Sequence, residues 1–153
     1  MSDVISVLTF QSVETILAVG GTQSWALDRN RAARCDYVVI CRNAKTRNPE
    51  GPEEHGTAFM VGKVKDVVPS TETKGRWLIQ ISEYALIEWP DEWVGRNPVA
   101  YWKDDDYEDV DFKALDYQPL EKLPRGLTIP EAKAGLSLGL NVPESAIEIV
   151  VRS

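Results

Sequence analysis

The stretch YVVIC, residues 37–41, is the segment from which the fold of this chain can be inferred. Its five consecutive apolar residues are typical of a strand that is buried on both faces. Residues 57–68 form a longer apolar-rich segment around Gly62, which predicts a strand with a bend or bulge at that glycine. Residues 77–87 alternate apolar and polar side chains and predict a half-buried strand. We therefore expect residues 37–41 to lie inside a sheet.

Local start and stop signals divide the residues before this stretch. Residues 4–10 are β-branched and apolar and predict a first strand. Apolar residues then recur at helical spacing over residues 13–17, and Gly20-Gly21 supplies a left-handed stop. Asp28 is a good N-cap for a short basic helix over residues 29–34.

The residues after the stretch predict three more elements. Residues 99–102 can form a short strand, Thr128 and Glu131 form a capping box at the start of a helix, and residues 147–151 alternate like a final strand. The total is about six strands and about three helices, with strands in neighbouring pairs. This order favours an α+β fold whose mixed or antiparallel sheet curls into a small pseudo-barrel.

Length and composition are those of one globular domain. The chain has 153 residues, 43% hydrophobic and 27% charged, so we expect a single domain with a barrel-like body at residues 1–118 and a helix-strand extension at residues 119–153. There is no apolar run long enough to span a membrane and no signal-peptide pattern, so we expect a cytoplasmic protein without membrane contact. The two cysteines, Cys35 and Cys41, are expected to be plain buried thiols.

Catalytic, cofactor and metal patterns are absent from the sequence. The only histidine, His55, lies in a turn-rich loop and has no neighbouring nucleophile, and Gly20-Gly21 matches no phosphate-binding motif. We therefore predict no catalytic residues, no cofactor and no metal ligands. A small hydrolase acting on a nucleoside-like substrate, with Lys63, Lys65 or Glu83 as general acid or base, is permitted but not required by any motif.

A tryptophan-rich loop at residues 88–102 contains three of the five tryptophans. Trp89 and Trp93 could stack on a base, Arg96 could hold a phosphate, and Asn97 could bond a base edge. The alternative is that Trp89 and Trp93 plug the end of a barrel, because large aromatic residues dominate small cores.

An acidic run follows this loop. Its members are Asp104, Asp105, Asp106, Glu108, Asp109 and Asp111. It lacks the central glycine of a calcium loop, which leaves a solvated loop, a weak divalent-ion site, or an acidic face that docks on a basic protein or mimics nucleic-acid phosphate. The net charge of −7 favours the docking interpretation over non-specific binding to nucleic acid.

Three segments between Gly20 and Trp102 resemble the PUA-like superfamily, and within it the EVE and ASCH-type domains. Trp25 followed by the basic helix resembles the tryptophan-then-arginine segment of these domains, residues 36–43 look like their central strand, and residues 59–64 are similar to their glycine-containing second strand. The resemblance implies a small pseudo-barrel that binds RNA, or a flipped or modified base, in a cleft lined by aromatic and polar groups.

Together these observations predict a small module that recognises a nucleotide or a modified base in nucleic acid. Its candidate ligand-binding residues are Trp25, Arg29, Asn30, Arg34, Trp89, Trp93, Arg96 and Asn97. The alternative is an acidic interaction or inhibitor protein that binds a basic protein through Asp104, Asp105, Asp106, Glu108 and Asp109.

Overall fold

The computed structural model describes residues 2–93, 97–120, 137 and 139–147. The chain separates into two compact units, Met1–Glu121 and Lys122–Ser153. In the second unit the described residues include a short 3-10 helix at Glu144–Ala146. The predicted helix that begins at Thr128 and the predicted final strand lie mostly outside the described residues.

The first unit is a sheet-dominated α+β fold with a curled, half-barrel sheet. Its described part contains two α-helices, so the expected number of about three is not confirmed. The elements are β1 (Asp3–Thr9), α1 (Val13–Val19), β2 (Gly21–Trp25), α2 (Arg29–Ala33), β3 (Tyr37–Arg42), β4 (Ala58–Pro69), β5 (Trp77–Trp89), β6 (Val99–Lys103) and β7 (Gln118–Pro119). Neither of the two α-helices, nor any other helix in the described part of the chain, is long and apolar enough to cross a membrane.

The sheet is mixed. Its strands lie in the order β2-β5-β4-β3-β1-β6, and β7 pairs with β5. β1 and β3 run parallel, and the crossover that a parallel pair needs is formed by α1, β2 and α2. The other strand pairs are antiparallel.

The β4–β5 hairpin bends the sheet. Its register shifts between Ala58 and Met60 and twice more between Lys63 and Asp66, and such bulges increase local twist. The bend predicted at Gly62 therefore occurs one residue later. Gly62 has a different role, because a Cβ there would lie 2.5 Å from the Ile81 Cγ2 atom.

Helix ends follow the local signals in the sequence. Gly20 has φ 90° and its N–H donates to the Ile16 carbonyl oxygen at 3.0 Å, which ends α1 as predicted. The Asp28 carboxylate accepts hydrogen bonds from the N–H groups of Asn30 and Arg31, which confirms it as the N-cap of α2.

The sheet has an apolar cluster on each face. Because side chains alternate along a strand, Val38 belongs to one cluster and Val39 to the other. The first cluster includes Ile16 of α1 and Ala32 of α2, and we call this side the helical face. The second includes Phe112, and we call it the opposite face. The buried-on-both-faces interpretation of residues 37–41 is confirmed, since every residue of β3 is buried.

β2 is a strand that the sequence analysis missed. Its residues, GTQSW, have no apolar alternation, and they form a strand because they pair with β5. The buried side chain of Gln23 has a hydrogen-bond partner, because the Thr71 N–H donates to its Oε1 atom at 2.9 Å.

Gly21 allows β2 to approach β5. A Cβ at Gly21 would lie 2.0 Å from the Ile79 carbonyl oxygen, which is backbone and cannot rotate away. Gly21→Ala should therefore lower the free energy of unfolding by about 3 kcal/mol or more, measured by urea denaturation. Gly62→Ala meets a side-chain methyl group instead and should cost about 1–3 kcal/mol. Equal or reversed losses would contradict this account of the β2–β5 contact.

Candidate functional site

The tryptophans predicted to stack on a base lie on different faces of the sheet. Trp25 is buried on the helical face, 7% exposed, and its indole Nε1 donates to the Thr22 hydroxyl oxygen at 3.0 Å. Trp89 and Trp93 pack against the cluster on the opposite face. The structure therefore does not bring these three residues together in one cleft.

The basic helix α2 is partly committed to structural contacts. The Arg29 guanidinium donates to the Val67 carbonyl oxygen at 3.0 Å and pairs with the Asp66 carboxylate at 3.1 Å, which ties α2 to β4. Arg31, which the prediction omitted, lies with its Cζ atom 3.9 Å from the centroid of the Tyr101 ring.

The other predicted polar residues fall into two groups. Asn30, Arg34 and Asn97 are exposed, whereas Arg96 lies outside the described residues.

An aromatic cluster on the opposite face surrounds Phe112. Its ring stacks on Tyr37 with centroids 5.0 Å apart and meets the edges of Tyr107 and Trp89 at 5.2 and 6.1 Å. Offset and edge-on pairs of this kind stabilise a core beyond the area they bury. Trp89 is half-buried and packs against this cluster.

This cluster anchors the acidic segment, defined here as residues 104–116. The segment contains seven acidic residues and one lysine, and its apolar members, Tyr107, Val110, Phe112 and Leu115, pack inward while most of the carboxylates are exposed. Just beyond it, the Tyr117 hydroxyl donates to the Phe112 carbonyl oxygen at 2.7 Å. The acidic residues are therefore displayed on an anchored backbone.

Three carboxylates of the segment stabilise its turns. Asp104, Asp106 and Asp111 accept hydrogen bonds from nearby backbone N–H groups at 2.9, 2.7 and 3.1 Å.

The remaining exposed acids of the segment have no such commitment. The side chains of Asp105, Glu108 and Asp109 make no hydrogen bond or ion pair with any residue that the structure describes. Within the same part of the chain, no three His, Cys, Asp or Glu side chains are arranged to hold a metal ion.

A pocket of about 310 Å³ opens beside the start of the segment. Tyr37, Phe112 and Val110 supply its apolar lining, and the acids and one lysine line the rest. The charged lining residues are Asp104, Asp105, Asp111 and Lys113. Its electrostatic character is negative.

A larger groove of about 650 Å³ lies near the end of the β4–β5 hairpin and the start of α1. Val13, Phe59, Leu86 and Ile87 supply an apolar floor with two prolines. Its charged members are all glutamates, namely Glu53, Glu54 and Glu88, and no lysine or arginine is among its described lining residues.

The rim of this groove depends on Arg42, which is 0% exposed. Its Nε donates to Glu53 at 2.8 Å, its Nη1 donates to the Gln11 carbonyl oxygen at 2.6 Å, and its guanidinium lies 4.2 Å from the centroid of the Phe59 ring. Arg42 was not among the predicted site residues, although its place at the end of an apolar run predicted to be buried on both faces could have indicated its burial.

Among the residues considered for proton transfer, Lys63, Glu83 and His55 have structural partners, whereas Lys65 is exposed. Lys63 and Glu83 pair with each other at 3.1 Å, and the Lys63 ammonium lies 4.4 Å from the Tyr117 ring centroid. The half-buried His55 accepts a hydrogen bond at Nδ1 from the Ala44 N–H at 3.2 Å.

The two thiols are buried on different faces. Burial raises the pKa of Cys35 to about 11 and that of Cys41 to about 12, so neither is a thiolate near neutral pH.

No family model, curated protein or solved structure matches the chain. The resemblance to the PUA-like superfamily therefore stays a prediction.

Breaking the Arg42 contacts should destabilise the fold that holds the groove. Arg42→Met leaves Glu53 without its buried partner and should lower the free energy of unfolding by about 3–5 kcal/mol in urea denaturation. Arg42→Met combined with Glu53→Gln should recover part of that loss, because no unpaired carboxylate is left behind. A double variant as unstable as the sum of the two single variants would contradict the pairing.

Proposed function

We propose that this protein binds a basic region of a partner protein through the acidic segment, residues 104–116. The single observation that carries the proposal is the anchoring of this segment. Its aromatic and aliphatic residues pack into a core cluster, while Asp105, Glu108 and Asp109 stand exposed with no ionic partner among the described residues.

The distribution of charge supports this function. The segment contains seven acidic residues and one lysine, so it carries almost the whole net charge of −7 of the protein. A surface with one sign of charge steers a partner of the opposite sign during diffusion and excludes partners of like charge. The favoured partner is therefore rich in lysine or arginine.

The anchoring also supports affinity. A disordered acidic tail has to pay ordering entropy when it binds, whereas a segment already fixed by packing does not. Here Phe112 is 3% exposed and the Tyr117 hydroxyl fixes the backbone at Phe112. The exposed carboxylates are thus presented at fixed positions before a partner arrives.

The pocket beside the segment fits one side chain of such a partner. A guanidinium or ammonium group is attracted both to carboxylates and to aromatic rings. The pocket offers Asp104, Asp105 and Asp111 around an apolar lining that includes Tyr37 and Phe112. Its volume of about 310 Å³ is large enough to admit the end of an arginine or lysine side chain.

Recognition of a nucleotide or a modified base, the competing hypothesis, has weaker support. It relies on Trp25, which is buried with its indole N–H satisfied, and on Arg29, which already pairs with Asp66. The described polar candidates that stay exposed are Asn30 on α2, Arg34 directly after α2, and Asn97, which is well away from them in sequence. A nucleoside hydrolase has no more support, because Lys63 and Glu83 neutralise each other.

The first test compares binding of two labelled probes, an oligoarginine peptide and a single-stranded oligonucleotide, at low and moderate salt. Asp105→Asn combined with Glu108→Gln should weaken oligoarginine binding about 5- to 10-fold at low salt, since each exposed charge pair contributes a fraction of a kcal/mol. Binding is measured by fluorescence anisotropy.

The control variant removes two exposed acids elsewhere, Glu14→Gln in α1 and Glu72→Gln in the turn between β4 and β5, which contacts β2 at the sheet edge opposite β6, and it leaves the same net charge. It should bind oligoarginine within about twofold of the unmodified protein, because screening confines the effect of distant charges. If both variants weakened oligoarginine binding equally, the binding would depend only on the net charge of the protein, and the proposal would be overturned. Salt-sensitive binding of the oligonucleotide in preference to oligoarginine would favour the base-recognition hypothesis instead.

A further inference from the structure

We infer that the groove formed by the start of α1, residues 52–57 and the end of the β4–β5 hairpin binds a linear peptide segment that combines an apolar and a cationic side chain. The inference extends the proposed function, because a basic partner protein would supply the segment. It uses none of the residues of the acidic segment, so either idea can fail while the other stands.

The floor of the groove offers apolar area that the fold leaves uncovered. Leu86 is 57% exposed, although it lies in the middle of the second half of β5. It lines the groove together with Val13 and Phe59. An exposed leucine beside an aromatic ring in a concave surface is a typical anchor position for an apolar side chain of a partner.

A bulge in the hairpin shapes this floor. Ala58 pairs with Trp89 and Met60 pairs with Leu86, so the single residue Phe59 faces two residues of β5, Ile87 and Glu88. Bulges of this kind change the direction in which side chains point. The bulge therefore interrupts the regular β4–β5 pairing at the place where the groove forms.

The rim defines the charge of the occupant. Glu54 and Glu88 are exposed and form no ion pair with any described residue, while one oxygen of Glu53 is held by Arg42. The described lining contains three carboxylates and no cation, which disfavours a phosphate or a carboxylate ligand. An ammonium or guanidinium group pairs with the free rim acids, and a neighbouring apolar side chain of the same segment covers the floor.

The rim is built before any ligand binds. The Arg42 N–H donates to the Thr57 carbonyl oxygen at 2.8 Å, and the Gly56 N–H donates back to the Arg42 carbonyl oxygen at 2.9 Å. Gly56 takes φ 86°, and its carbonyl oxygen accepts the N–H groups of Glu92 and Trp93 at 3.1 and 3.2 Å. A fixed concave surface loses little entropy on binding, which favours a short segment over a large interface.

We assign a peptide as the occupant because apolar side chains and carboxylates unpaired with any described residue line the same open groove. A small organic cation would use the rim alone and leave Leu86 uncovered. An alternating leucine–arginine peptide uses both features, and it therefore serves as the probe.

The experiment measures anisotropy of a labelled alternating leucine–arginine peptide with four proteins. Leu86→Ser should weaken binding about tenfold through the loss of apolar contact. Glu54→Gln with Glu88→Gln should weaken it about 5- to 10-fold at low salt. Asp105→Asn with Glu108→Gln, which alters the acidic segment, should weaken binding of this peptide less than either groove variant does, because it touches no groove residue.

Oligoarginine, the probe of the acidic segment, separates the two sites. Its binding should be unchanged by Leu86→Ser, since it offers no apolar side chain. If Leu86→Ser leaves the leucine–arginine peptide unaffected, the groove inference is overturned whatever the acidic segment does. Displacement of the peptide by spermidine as effectively as by unlabelled peptide would assign the rim to small cations and overturn the peptide assignment.

A second readout locates the bound peptide directly. In two-dimensional NMR spectra of the unmodified protein, the peptide should shift the amide signals of Phe59 and Leu86 more than that of Glu108. Shifts confined to the acidic segment would contradict the groove assignment.

Discussion

The buried guanidinium of Arg42 is the interaction on which much of the first unit depends. A charged group that is 0% exposed is costly unless its donors are occupied. The Nη2 atom of Arg42 has no hydrogen-bond partner among the described residues, but its Nε and Nη1 atoms donate to the Glu53 carboxylate and the Gln11 carbonyl oxygen. These partners belong to the connection between β1 and α1 and to the long loop before β4. The loop is thereby held against the sheet. Its residue Glu50 then accepts a hydrogen bond from the Ser12 N–H at the start of α1. One side chain at the end of β3 thus bonds both to the connection that precedes α1 and to the loop that supplies the groove rim.

The curled sheet separates two surfaces that the sequence alone could not assign. Alternate residues of β3 point to the helical face and to the opposite face of the sheet. The tryptophans of the predicted ligand site therefore pack against different apolar clusters. Trp25 fills the helical face and Trp89 fills the opposite one. The predicted ligand-binding set fails to converge for this reason. Each face has an exposed acidic surface at its margin. Near the helical face this surface is the groove, and on the opposite face it is the acidic segment.

Local signals made part of this structure predictable. The stop at Gly20, the cap at Asp28 and the strand over residues 37–41 depend on a few adjacent residues, and the structure confirms them. β2 forms instead because it pairs with β5, more than fifty residues away in the chain. Its own residues, GTQSW, contain no pattern that predicts a strand. In the sequence, Arg42 belongs to a cluster of basic residues, and in the fold its side chain is fully buried. The sequence does not show this directly, because burial depends on tertiary contacts. Its only sequence signal is that it continues a strand that has no exposed face.

The acidic segment combines features that the sequence displays separately. The sequence shows a run of acids and then aromatic anchors, whereas the structure interleaves them, with Tyr107 and Phe112 packed inside and the acids turned outward. Crowding seven carboxylates into thirteen residues opposes folding through repulsion, and ordering the segment costs about 1–2 kcal/mol per residue in backbone entropy. A loop that only connected β6 to β7 would need neither the charge nor the aromatic cluster that offsets these costs. Positive charge brought by a partner of the kind proposed above would relieve this repulsion.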